Sequence, residues 1–348
     1  MSEGHEAVRD LLGAWALRAG EPGDERLVRD HLAGCAPCTA EAARLRTAVA
    51  VLDGPDDIRT PAGARGAVLA AALGRREAAP RVAAHAAPYA AAVAGLDALL
   101  REVGDSGADG ADGADGLWAA PVVHDWDVHA TVAHLVAADE PLALRLAPDP
   151  GEAPPPSDAP WHETWAARTA AVIAREHART PAATWRTWRE QTRTLLASPS
   201  AYSTELACTE VELMGLRLPV AEHFLIRAFE TWVHTDDIGR AIGHSVPPPA
   251  GEHLRRLVGL ALRILQRATN PGAPPVLLTL RGPGPDDIHR QRLGSDTGPV
   301  VGELAVDTVD FCLLMGGRYA PGDIPQSVTG DRSATLNTLE RAASLAWL

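Results

Sequence analysis

Three soft metal ligands fall close together near the start of the chain, in the run His31-Leu-Ala-Gly-Cys35-Ala-Pro-Cys38. This H-x3-C-x2-C spacing constrains the backbone tightly. With His31 on the last turn of a helix, Cys35 stands beside it at i+4, and Cys38 turns back through Pro37. Three donors then converge on one point, as tetrahedral zinc requires. A fourth donor is needed, and His5 on the preceding helix is the candidate. Such a site is closed, with no position left for a substrate, so it belongs to structure and not to turnover. The alternative is two incidental thiols and a surface histidine.

The surrounding sequence predicts a small helical region. Ala7 to Ala19 carries apolar residues at helical spacing, and Gly20, Pro22 and Gly23 break it. Asp24 is the expected cap of a second helix running toward His31. A third is expected from Thr39 to the Asp53-Gly54-Pro55-Asp56 turn, and a fourth over residues 61–75. Residues 76–87 read as a linker or a helix continuation. At 348 residues the chain exceeds what one core usually serves, so two or three domains are expected.

Residues 3–78 resemble the zinc-binding anti-sigma domains. The resemblance rests on the H-x3-C-x2-C motif, the preceding Glu25-Arg26-Leu27 helix and the Thr60-Pro61 start of the last helix. It implies a sigma factor as partner of residues 1–78. That family often has Cys at its first ligand position, where this chain has His5. Redox-sensing members use that first Cys in a disulfide, so here a plain structural zinc is the expectation, with a Cys35–Cys38 disulfide as the alternative.

The net charge of −13, spread without any basic run, argues against direct nucleic-acid binding and against anionic membranes. No signal peptide and no apolar run long enough to span a bilayer is visible, which makes the cytoplasm the default location. The remaining thiols, Cys208 and Cys312, lie far apart and read as small buried hydrophobes.

The middle of the chain reads as a helical bundle. A helix is expected over 88–104, then an acidic Gly-rich tract running to Gly116 as a mobile loop. Asp127 is the expected N-cap of a helix reaching about Leu146. Pro148 to Pro160 reads as a loop, 161–179 and 182–197 as helices, and Pro219 to Ile242 as a long helix ended by Gly243. After that the character changes. Helices are expected over 252–269, 306–315 and 331–347, with strands at Val276–Leu280 and within Gly298–Ala305, the mixture of an α+β domain.

Within the bundle, Glu230-Thr-Trp-Val-His234 puts a carboxylate and an imidazole one turn apart on one helix face. His134 on another helix can complete a set of three. Three N/O ligands leave a fourth position open, the arrangement of a catalytic zinc. The apolar neighbours Val132, Leu135, Phe229 and Val233 would keep such a site dry. Spacing alone leaves open a surface pair or a satisfied core histidine.

The run Arg227-Ala-Phe-Glu230-Thr-Trp-Val-His234-Thr-Asp-Asp237-Ile resembles the signature helix of the mycothiol-dependent maleylpyruvate isomerase family, and Trp126 to Leu135 resembles its first metal helix. The resemblance extends to Gly316-Gly317-Arg318 and Thr329-Gly330-Asp331, and covers residues 85–348. It implies a DinB-like four-helix bundle with metal ligands His134, Glu230 and His234, followed by an α+β domain. It also implies mycothiol as cofactor and a small electrophilic substrate. Arg318 matches an arginine of that family, where it could clamp a carboxylate of substrate or thiol; a structural salt bridge is the alternative. Asp236 or Asp237 could accept a hydrogen bond from a ligand histidine, or simply face solvent. His124 and His129 read as surface residues.

The expected architecture is therefore multidomain: a small all-α zinc domain over 1–78, the bundle over 85–247 and an α+β domain over 250–348. The expected function is a zinc- and mycothiol-dependent isomerase or thiol S-transferase with an N-terminal interaction domain. The competing reading is an anti-sigma-type regulator whose bundle senses a thiol or an electrophile.

Overall fold

The computed structural model describes residues 3–17, 19–53, 81–105, 113–147, 160–213, 215–282, 284 and 287–345. The helix expected over 61–75, residues 76–80 of the linker, the tract 106–112 and nearly all of Pro148–Pro160 lie outside the described residues. The chain divides into two compact units, residues 1–78 and 79–348.

In the first unit, α1 (Glu3–Ala16), α2 (Pro22–Leu32) and α3 (Ala36–Asp53) follow one another. Val8 and Leu12 of α1 bury against Val28 of α2 and Cys38 and Ala42 of α3. Two boundaries differ from expectation. Pro22 begins α2, as suits a residue with no N–H to satisfy, so Asp24 sits inside the first turn beside Glu25, favourably placed toward the helix dipole. α3 starts at Ala36, so Cys38 lies on its first turn, ahead of the expected start at Thr39.

The second unit opens with α4 (Ala87–Asp105) and a short α5 (Gly113–Trp118). α5 begins inside the tract expected to be loop. A two-stranded hairpin, β1 (Pro121–Val123) and β2 (Trp126–Asp127), leads directly into α6 (Val128–Leu146). Asp127 is the N-cap, its Oδ1 accepting from Ala130 N at 2.7 Å. Next come α7 (Trp161–His177), α8 (Pro181–Ala197) and the short α9 (Pro199–Tyr202) and α10 (Thr204–Ala207). A second hairpin, β3 (Glu210–Leu213) with β4 (Leu216–Pro219), delivers the chain to α11 (Val220–Ala241).

α11 is buried almost all round, which is the mark of a central helix. It packs along α4 and against α6, and α6 packs on α8 and α7, giving a bundle of α4, α6, α8 and α11 with α7 on its flank. Gly243 ends α11 with φ of 75°, a left-handed conformation that glycine adopts without strain.

The C-terminal region begins with α12 (Gly251–Ala268) and carries a four-stranded sheet in the order β6-β5-β7-β8. These strands are β5 (Val276–Arg281), β6 (Ile288–Leu293), β7 (Gly302–Asp307) and β8 (Gln326–Gly330). β5 and β7 are parallel, with Leu278 opposite Leu304 and Leu280 opposite Val306; the outer pairs are antiparallel. α13 (Thr308–Met315) connects β7 to the antiparallel β8, and α14 (Arg332–Ala343) follows β8. One hydrophobic core runs without a break from Phe224 and Phe229 on α11, through Leu257 and Leu265 on α12, to Leu278, Leu304 and Phe311. The molecule is thus mostly helical and multidomain, with a small helical N-terminal region, a central helical bundle and a strand-containing C-terminal region. No helix among the described residues is long and apolar enough to cross a membrane.

Candidate metal centres

His134 reaches the bundle interior from α6, while Glu230 and His234 reach it from successive turns of α11. All three are at most 5% exposed. One donor atom from each lies within 4.8 Å of the others. His134 Nε2 is 2.8 Å from Glu230 Oε1. Burial works against an ionised Glu230, but the charge of Arg227 and the contact with His134 outweigh it and hold the carboxyl at about 2. Burial pulls His234 down to about 4 despite the carboxylate beside it. His234 is therefore neutral at pH 7 and keeps a lone pair.

The carboxylate beside His234 is Asp237, whose Oδ2 lies 3.2 Å from Nδ1. That contact places the imidazole proton on Nδ1 and leaves Nε2 as the free donor atom. Nε2 is buried with no hydrogen-bond partner, as is His134 Nδ1. A buried polar atom left unpaired costs roughly 1–3 kcal/mol. Two imidazoles, each with a buried unpartnered nitrogen, beside an ionised carboxylate form a donor set that suits a divalent ion with affinity for imidazole and carboxylate, zinc among them.

Arg318, delivered by the turn after α13, is the group that holds Asp237. Its Nε donates to both carboxylate oxygens, at 3.1 and 3.0 Å, and its Nη2 also reaches Oδ2. Its Nη1 donates to the Gly316 carbonyl. Arg318 Nη2 stands 3.2 Å from His234 Nδ1; both are donors aimed at the same carboxylate. Burial opposes ionisation of Asp237, but the hydrogen bonds from His234 and Arg318 keep its pKa below the usual range. Asp236 points elsewhere and pairs with Arg240 at 2.5 Å.

The β1–β2 hairpin supplies one wall. The Trp126 ring centre lies 4.7 Å from that of His134 and 6.3 Å from that of His234. This contact was not legible in the sequence, where Trp126 read only as part of a helix start. His124 is exposed at the hairpin turn with φ of 54°, and its ring meets Trp126 edge-on. His129 is not a surface residue: it is 5% exposed, bonds Thr184 Oγ1 through Nε2 at 2.8 Å and stacks on His177 at 4.5 Å. The three helices α6, α7 and α8 enclose it, which spacing along α6 alone does not disclose. Cys208 is also not buried; it is exposed at the end of α10, whereas Cys312 lies in the core.

In the N-terminal unit His5 of α1, His31 of α2, Cys35 before α3 and Cys38 on its first turn bring one donor atom each within 4.8 Å of the others. Cys35 Sγ is 3.4 Å and Cys38 Sγ 3.6 Å from His5 Nδ1. The His5 and His31 rings are 5.4 Å apart, and His31 Nε2 is buried without a partner. Both thiols are free. Four N/S donors around one point match a closed tetrahedral zinc site.

Residues 100–239 match the family described as the mycothiol maleylpyruvate isomerase N-terminal domain. Residues 6–39 match the family described as a putative zinc-finger. No curated protein matches the chain. Two solved structures are similar, both of the mycothiol-dependent maleylpyruvate isomerase. A point variant is 17% identical with a TM-score of 0.47, covering 71% of this chain and 92% of that one. The second is 16% identical with a TM-score of 0.46 and the same coverage, 71% and 92%. The chain accordingly carries, over residues 100–239, a domain of the mycothiol maleylpyruvate isomerase N-terminal family, joined to a putative zinc-finger at residues 6–39.

Proposed function

We propose that the chain is a metal- and mycothiol-dependent isomerase or thiol S-transferase acting on a small electrophilic substrate, with an N-terminal zinc-binding interaction unit. The observation that carries this reading is the meeting of His134, Glu230 and His234, each imidazole with one unpartnered nitrogen, in the buried interior of the bundle. Those three residues would hold a divalent ion, zinc by donor type, and leave a further position open. A metal there supplies Lewis acidity, which favours the thiolate form of a bound thiol at neutral pH.

The chain's own residues do the rest. Asp237 fixes the His234 tautomer and ring orientation. Arg318 locks Asp237 from the Nδ1 side of His234, and in this reading it is also the cation that an anionic end of thiol or substrate would meet. Val132, Phe229 and Val233, near those residues along α6 and α11, are buried and would help to keep water out. The activity proposed is thiol addition to an electrophilic carbon, which ends as cis–trans isomerisation if the adduct collapses after rotation and as S-conjugation if it persists. In the test, purified chain is assayed with mycothiol and maleylpyruvate-type or other electrophilic substrates. Thiol-dependent turnover that disappears in Glu230→Ala is expected; turnover indifferent to that substitution contradicts the reading.

A second reading is favoured by the donors His5, His31, Cys35 and Cys38 and by the match over residues 6–39. Here the N-terminal unit binds a sigma factor and the bundle senses a thiol or an electrophile. Co-purification of a sigma subunit with the full chain, lost in Cys35→Ala, is its expected outcome. Absence of any sigma subunit sinks it.

A further inference from the structure

Glu230 has two carboxylate oxygens, and the fold gives each a different neighbour. Oε1 faces His134, 2.8 Å from its Nε2. Oε2 is ion-paired with the guanidinium of Arg227, one turn earlier on α11. Both side chains are 4% exposed, so water does not compete for that pair. Arg227 lies among groups that are themselves fixed: Asp139 on α6 feels its charge, and Tyr89 on α4 donates to Asp139 Oδ2 at 2.7 Å.

A carboxylate can give a metal one oxygen or two, and the choice decides how many positions stay open for other ligands. We propose that Arg227 is a positioning residue that reserves Oε2 of Glu230, so that Glu230 offers a metal only Oε1 and the site stays at three protein donor atoms. The inference rests on the reading that the bundle holds a metal. A charge-assisted bond to a buried cation is strong and directional. Turning Glu230 to bind through both oxygens requires breaking it and leaving Arg227 charged and unpaired, which is costly. The open positions that thiol chemistry needs therefore depend on a residue that touches neither metal nor substrate.

The test uses full-length chain carrying Cys35→Ala and Cys38→Ala, so that cobalt(II) reports on the bundle alone. Visible absorption and cobalt affinity are compared for this parent, for Arg227→Lys and for Arg227→Met. The parent is expected to give the intense band of low-coordinate cobalt, and the Lys variant, which keeps a cation near Oε2, to retain it. The Met variant is expected to lose intensity as Glu230 takes up a second bond, with affinity changed about 10–100-fold. A Met variant with the parent's band overturns the inference while leaving the metal reading intact. If circular dichroism shows the Met variant unfolded, the parent decides: a weak, high-coordinate band there overturns the inference. Cobalt that fails to enter the parent, or enters it independently of His134, overturns the metal reading instead.

Discussion

Asp237 shows how one side chain ties the C-terminal region to the bundle's histidines. It accepts from His234 Nδ1 and from Arg318, all three being buried. Asp237→Asn keeps the shape and removes the charge. It is expected to weaken metal binding about 10–100-fold, read by competition with a chelator; unchanged affinity contradicts the role given to Asp237. Asp139 offers a pH test. Burial raises its pKa to about 7, with the charge of Arg227 and the Tyr89 hydrogen bond only partly offsetting it. The folded chain thus holds this proton more tightly than the unfolded chain does. The stability it contributes is full below about pH 4 and is lost as pH rises through 7. Asp139→Asn is expected to flatten that slope in denaturant midpoints measured from pH 5 to 8; an unchanged slope contradicts the assignment.

At the scale of elements, α6 and α11 were legible because each is long, strongly patterned and bounded by a recognisable signal, Asp127 at the start of one and Gly243 at the end of the other. The hairpins were not. β1 and β2 hold three and two residues, too few to show alternation. β6 reads Ile-His-Arg-Gln-Arg-Leu, a polar edge strand with apolar residues only at its ends. His134, Glu230 and His234 were legible as residues, but Trp126 against His134 and Arg318 on Asp237 depend on how elements meet; Arg227 on Glu230 is an i,i+3 pair on one helix, which spacing could have disclosed. Asp127→Ala removes the α6 cap and is expected to cost about 1 kcal/mol in chemical denaturation. Gly239 on α11 shows a close approach: an added Cβ would stand 2.8 Å from the His244 carbonyl and collide with Val246. Gly239→Ala is expected to destabilise by roughly 1–3 kcal/mol. A neutral result at either position contradicts the packing described.

Across the whole molecule the two units differ in what holds them. Within residues 79–348 one extended core joins the bundle to the sheet, and a second packs inside the bundle around Leu96, Val132 and Trp188. Among the described residues, the N-terminal unit buries a handful of apolar side chains, with Cys38 among them and Cys35 packed against them. Small cores of this kind lean on a metal for stability. Strong chelation is accordingly expected to melt helical signal from α1 to α3 while the core of residues 79–348 remains folded. We propose two separate metal sites of different kinds, one in each unit. Metal content by elemental analysis of wild type, His134→Ala and Cys35→Ala tests this most directly. About two zinc per chain, with one lost in each variant, is the result expected for one open and one closed site. Metal content unaffected by His134→Ala would contradict the account of the bundle.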